Sequence, residues 1–209
     1  MSSYIILKTA LVITLLICGY RMSKIKNSAY YYPYYLTVFP ILIVYSCVEG
    51  LRYGRATDYF GYYNDFIGLT ANTYEPIFQL FVNLLKYINA PFYIGFVMCS
   101  FLLIFSGCLF IKEYRFAAFF TLPIFYLDTI VQSSNLIRMY FALSIILIAC
   151  KFLIQNKNYL FIFFVVIAFL THYSSIILFP FILLFNKFHK PIKSRLFIII
   201  LFFLANYVT

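Results

Sequence analysis

Tryptophan is absent from this sequence, charged residues make up only 11% of it, and only six residues are acidic. No polar stretch is long enough to enclose a core of its own, which excludes an ordinary soluble domain. The five cysteines, Cys18, Cys47, Cys99, Cys108 and Cys150, form no CxxC pair and no metal-binding spacing with histidine, so they read as small apolar packing residues. There is no Walker motif and no dinucleotide loop. The two histidines, His172 and His189, have no carboxylate cluster beside them in sequence, so no metal centre is expected. The first apolar run lacks a basic leader and an A-x-A cleavage site, and is expected to remain as a helix.

What the chain does have is apolar length. Hydrophobic residues make up 65% of it, against about 45–50% in an ordinary soluble domain. A membrane span takes about 20 mostly apolar residues. Candidate runs lie at 4–20, 34–48, 91–111, 116–131, 136–154, 159–172 and 174–186, with an eighth beginning near 196. The expected fold is all-α, a polytopic helical membrane bundle of about seven or eight spans, forming one domain over residues 1–209. The last run reaches Thr209 after ~14 residues, short for a span, so the chain is expected to be a fragment of a longer polytopic protein.

The net charge of +10 invites a nucleic-acid reading. The basic residues instead sit in short clusters between apolar runs, which is the signature of membrane topology. Arg21, Lys24, Lys26, Lys112, Arg115, Lys151, Lys157, Lys187, Lys190, Lys193 and Arg195 fall on one side, 11 of the 16 basic residues. That side is expected to be cytoplasmic, with the amino terminus outside. A single helix across 159–186 would place Lys157 and Lys187 on opposite faces. A break at Thr171-His172-Tyr173-Ser174-Ser175 fits the charges better, with Pro180 kinking the second arm.

This topology gathers chemistry on the outer face. Four of the six acidic residues (Glu49, Asp58, Asp65, Glu75) fall within 27 residues, and Arg52 and Arg55 lie among them. Arg138 and His172 reach the same face. The loop over 49–90 is too long for a tight turn and too apolar for free solvent, so interfacial or re-entrant helices are expected within it. Arg52 and Arg55 form either an ion-pair network with Asp58 or a bidentate phosphate site, with Gly50 and Gly54 allowing close backbone approach. Glu75, before Pro76, either caps a helix or serves as a general base. Arg138, three residues after Asn135 and so on the same helix face, either snorkels to head groups or faces protein with a task. His172 is either a hydrogen-bonded structural histidine or part of an acid/base or phosphate site. His189, among lysines, reads as solvated, and Asp128 is a weaker candidate.

Together these residues resemble the EpsG family of bacterial polysaccharide polymerases, related to Wzy-type O-antigen polymerases. The resemblance rests on Gly50-Leu51-Arg52-Tyr53-Gly54 with Thr57-Asp58-Tyr59, then Tyr74-Glu75-Pro76-Ile77-Phe78, Asn135-Leu136-Ile137-Arg138 and His172-Tyr173-Ser174-Ser175. It departs at Met139, where the family often has Gln, and at Ala56, where it often has Gly. The resemblance implies a glycosyltransferase of the bacterial inner membrane, acting at its outer face in capsule, exopolysaccharide or O-antigen synthesis. Its substrate would be oligosaccharide repeat units on undecaprenyl pyrophosphate, with a chain-length regulator as a further partner and no nucleic acid. No cofactor is implied, because the pyrophosphate lipid is already activated. Arg52, Arg55 and Arg138 would then bind pyrophosphate, Asp58, Glu75 and His172 would be the catalytic candidates, and Tyr53 and Asn135 would support them.

Two other classes compete with this reading. A transporter or flippase for lipid-linked oligosaccharide predicts charges at mid-membrane on several spans. A membrane acyltransferase modifying polysaccharide wants a histidine and an acid together in a tunnel, and His172 has no acid near it in sequence.

Overall fold

In the computed structural model, residues 2–25, 31–55, 57–69, 74–129 and 136–178 are described. The chain divides into two compact units, Met1–Ser175 and Ile176–Thr209. The first contains eight α-helices among its described residues: α1 (Ser2–Ser23), α2 (Tyr31–Gly50), α3 (Tyr59–Phe66), α4 (Pro76–Tyr87), α5 (Phe92–Ile111), α6 (Ala118–Thr129), α7 (Ile137–Ile154) and α8 (Asn158–Thr171). A 3-10 segment, Lys112–Ala117, joins α5 to α6, and another, Tyr173–Leu178, follows α8. No strand occurs among the described residues. The chain is a helical membrane bundle.

Among the described residues, four helices are long and apolar enough to cross a membrane: Tyr4–Ser23, Pro33–Gly50, Phe92–Ile111 and Ile137–Ile154. Of the run expected at 116–131, the described residues form the 3-10 end at 116–117 and the 12 residues of α6, and the run at 159–172 forms the 14 residues of α8. At about 1.5 Å per residue, α8 falls short of a hydrocarbon core about 30 Å thick. The α8 helix stops where the break was expected. His172 leaves the helix with φ −157 and ψ 115, and its neighbours begin the 3-10 segment. Beyond residue 178, the rest of the 174–186 run, the run near 196 and His189 lie outside the described residues.

Two buried clusters hold the bundle. The α1 helix packs on α2 and α6, α2 on α5, α5 on α7, and α7 on α8. Leu11, Leu15, Ile41, Tyr45, Ile104 and Leu122 form the larger core between α1, α2, α5 and α6. Helices cross closely where side chains vanish: a Cβ built on Gly50 would stand 2.6 Å from Val97 Cα, so this glycine lets α2 approach α5. Outward-facing Ile5, Ile6, Ile13, Ile17, Leu36, Phe39 and Ile43 stay exposed, as expected for helices whose outer solvent is lipid.

The second core is mostly aromatic and lies under the 49–90 segment. Tyr59 and Phe66 of α3, Phe78, Val82 and Leu85 of α4, Phe96 of α5 and Phe141 of α7 are buried together. Helix α4 places Phe78, Val82 and Leu85 inward at helical spacing while Leu80 and Leu84 face out. The segment in which interfacial or re-entrant helices were expected forms the two short helices α3 and α4. They form a lid of short helices over one end of the bundle, packed on α5 and α8.

The bundle ends differ in charge as the sequence pattern predicts. At one end Arg115 Nε donates to Ile25 O at 2.7 Å, Lys112 approaches Tyr35 Oη at 3.5 Å, and Arg21 closes α1. The acidic residues with ion-pair partners gather at the other end, where Lys8 meets Glu49 and Arg138 meets Glu75.

Candidate functional site

Glu75 sits at the N-terminus of α4, just before Pro76, where a carboxylate is favoured by the helix dipole. Its side chain makes no capping bond. It points into the bundle, 8% exposed, and joins two distant parts of the chain. Arg138 Nη1 donates to Oε2 at 2.9 Å, and His172 Nδ1 lies 2.8 Å from Oε1. The arginine comes from the first turn of α7, and the histidine from the extended residue that ends α8. The helix break thus frees the histidine ring to reach across.

Burial pushes the Glu75 carboxyl up, but hydrogen bonds from its own backbone and His172, with the charge and hydrogen bond of Arg138, outweigh it and hold the group below its ordinary value. Glu75 is therefore an ionised acceptor at neutral pH. An ionised carboxylate only accepts, so Nδ1 of His172 carries the proton in their shared bond. In the neutral ring that leaves the Nε2 lone pair free for another proton, and the histidine side chain is 24% exposed.

Arg138 is fixed on three sides. Beyond Glu75, its Nε donates to Tyr62 Oη at 3.3 Å, and its guanidinium lies 4.9 Å from the centre of the Tyr74 ring. The Tyr62 and Tyr74 rings stack, 6.1 Å apart and 21° from parallel. Burial raises the Tyr62 hydroxyl above its ordinary value against the opposing pull of Arg138, so the phenol keeps its proton. Two of the five guanidinium donors are engaged in these bonds, and the Arg138 side chain is 32% exposed.

The other residues singled out in sequence lie elsewhere. Arg52 Nη1 donates to the carbonyl of Glu49 at 2.8 Å, and its guanidinium lies 5.7 Å from the Phe96 ring centre. With Tyr45, Ser100, Tyr140 and Phe141 it lines a small cavity between α2, α5 and α7. Arg55 is exposed and stacks on Tyr4 of α1, 3.4 Å from its centre. Asp58 is exposed at the start of α3, where its charge acts on Tyr62. Tyr53 is largely exposed, edge-on to Tyr59, Phe60, Tyr63 and Phe92, in a turn that Gly54 makes at φ +64. Asn135 lies outside the described residues. The structure thus brings Glu75, Arg138 and His172 together and sets Arg52, Arg55 and Asp58 against other partners.

Sequence reasoning missed a second buried carboxylate. Glu49, 2% exposed, pairs with Lys8 of α1 and accepts a hydrogen bond from Tyr126 Oη of α6 at 3.0 Å. A lysine inside an apolar helix at the same end was the available signal. It counted Asp65 in the acidic cluster without giving it a role, and did not single out Tyr62, three residues away on α3 and so on one face. Among 21 tyrosines nothing marks one as special. Among the described residues no group of three or more His, Cys, Asp or Glu gathers as metal ligands.

The family model described as EpsG family matches residues 34–209. No curated protein matches the chain. No solved structure matches it.

Proposed function

The chain belongs to the EpsG family, membrane proteins of polysaccharide-polymerase type, and on that premise we propose that it joins lipid-linked oligosaccharide repeat units at the outer face of the bacterial inner membrane. The observation that carries this reading is Glu75 held between Arg138 and His172. The donor is a growing chain on undecaprenyl pyrophosphate, and the acceptor is a hydroxyl of the next repeat unit. The acceptor oxygen bonds to the anomeric carbon as the bond from that carbon to the pyrophosphate oxygen breaks. The hydroxyl proton passes to Nε2 of His172, while Glu75 holds the ring in the required tautomer and stabilises the imidazolium that forms, as a carboxylate does for a catalytic histidine elsewhere. The leaving pyrophosphate takes the bonding electrons, and the unused Arg138 donors meet that charge. Arg52 and Arg55 belong to the approach of the pyrophosphate rather than to the reacting bond, given their contacts with Glu49, Phe96 and Tyr4.

Gathering of the paired charges at one bundle end supports chemistry at one face over transport. One observation favours acyl transfer as a second reading. The fold supplies His172 with the acid that its sequence neighbourhood lacks. Vesicles given lipid-linked repeat units separate the two readings. Polymerisation releases free pyrophosphate lipid and lengthens the glycan, and His172→Ala should slow both by about 10²–10⁴. Acyl groups added to glycan of unchanged length would overturn the proposal. A cysteine placed at Asp58 should react with an impermeant thiol reagent from outside, and one at Lys157 should not, in a protein lacking its native cysteines.

A further inference from the structure

Arg138 depends on how its supports are themselves held. Tyr74 lies beneath the guanidinium, and its hydroxyl donates to Oδ2 of Asp65. Asp65 is 1% exposed, on the last turn of α3. The Tyr74 ring is gripped on its other sides as well, stacked on Tyr62 and edge-on to Phe78 at 5.2 Å and 86°. A buried carboxyl group needs such a partner, but this partner is also a platform for a cation.

We propose that Asp65 is a positioning residue for Arg138, acting through Tyr74. The proposal rests on the role given above to Arg138. Two physical effects carry it. Anchoring the phenol hydroxyl fixes the plane of the ring over which the guanidinium lies. Donation of that O–H to a carboxyl group also draws electron density into the ring, which makes its face more negative and its attraction for a cation stronger. The aim of the Arg138 donors is therefore set by a chain of contacts from α3 through residue 74 to α7. The α3 helix, which touches no substrate group in this scheme, tunes the site by this route.

The test compares Asp65→Asn, Tyr74→Phe and the double variant in vesicles with lipid-linked repeat units. Each single change should lower kcat a few-fold and by no more than about 30-fold, the ceiling set by losing a whole partly desolvated cation–π contact, with KM and membrane levels little changed. The double variant should be no slower than the slower single one. Additive losses, or losses that follow protein amount, would overturn the proposal. If the unaltered protein does not turn over these substrates, it is the polymerase reading that fails. The positioning chain is then judged on the melting temperatures of Asp65→Asn, Tyr74→Phe and Arg138→Gln proteins and their pairs. Coupled shifts support the chain and additive shifts overturn it.

Discussion

Glu49 and Glu75 are two buried carboxylates at the same end of one bundle, and their surroundings differ in kind. Glu49 faces Lys8, whose side chain is 13% exposed, and a tyrosine hydroxyl in the core. Every group there is shielded, and three helices, α1, α2 and α6, are tied by it. Glu75 faces an arginine and a histidine that are both about twice as open or more. A carboxylate sealed among fixed partners holds helices together. One that is buried itself but holds accessible partners can direct chemistry through them. Burial of the acid alone does not separate the two cases; exposure of what it holds does.

That contrast can be broken most sharply at Arg138. Arg138→Lys keeps the charge but loses the planar fork that serves Glu75 and Tyr62 together. Polymer formation should fall by about 10²-fold or more with normal membrane levels, measured as glycan length in vesicles. Full-length polymer from this variant would leave Arg138 as a head-group anchor only.

The Glu49 cluster should respond in stability instead. Lys8→Met strands a buried carboxylate, which costs about 3–5 kcal/mol, so the protein should melt earlier and accumulate poorly. Lys8→Met with Glu49→Leu should recover much of that loss, because well-packed apolar groups replace a buried pair at little net cost. Melting temperatures in detergent check both. If the double variant is folded but inactive, the cluster has a role beyond tying helices.

A third effect follows from acid. The Glu75 group lies below its ordinary value in the folded protein, so its ionised contacts add stability above the unfolded carboxylate pKa. That contribution fades as pH falls through the lower folded value. The melting difference between unaltered protein and Glu75→Gln should persist from neutral pH down to the ordinary carboxylate range and close only below it. A gap that closes near neutral pH would contradict the pairing.

The smallest effect is expected at Arg55. It is exposed on Tyr4, outside the contacts of Glu75. Arg55→Ala should change turnover only a few-fold, in KM more than kcat, in line with an exposed cation–π contact of about 0.5–1 kcal/mol. A loss as large as that at Arg138 would bring Arg55 into the reacting centre.

Much of this was legible in the sequence, for identifiable reasons. Apolar runs set the long helices, and the polar break at Thr171-His172 ended α8. Pro76 marked the start of α4. Arg138, Glu75 and His172 were visible because charge in such a chain is scarce. Their meeting was not visible, since Glu75 is 63 residues from Arg138 and 97 from His172. Only the packing of α4 beside α8, and of α8 on α7, brings them together. Arg52 instead turns back to the Glu49 carbonyl three residues before it and Arg55 to Tyr4 of α1, which separates residues that adjacency in sequence had grouped. Lys8 with Glu49 and Asp65 with Tyr74 were hidden by the ordinary look of a single lysine in an apolar run and a single tyrosine among many.

The central claim is that of two buried glutamates only Glu75 serves the reaction. The direct measurement is single-turnover joining of lipid-linked repeat units in vesicles, per folded molecule, for Glu75→Gln and Glu49→Gln side by side. Both changes are near-isosteric and remove one negative charge. The account predicts a loss of about 10²-fold or more for Glu75→Gln at normal protein levels. For Glu49→Gln it predicts turnover within a few-fold of the unaltered protein, with any deficit confined to the amount of folded protein. Equal turnover for the two variants, or the greater loss at Glu49, would contradict it.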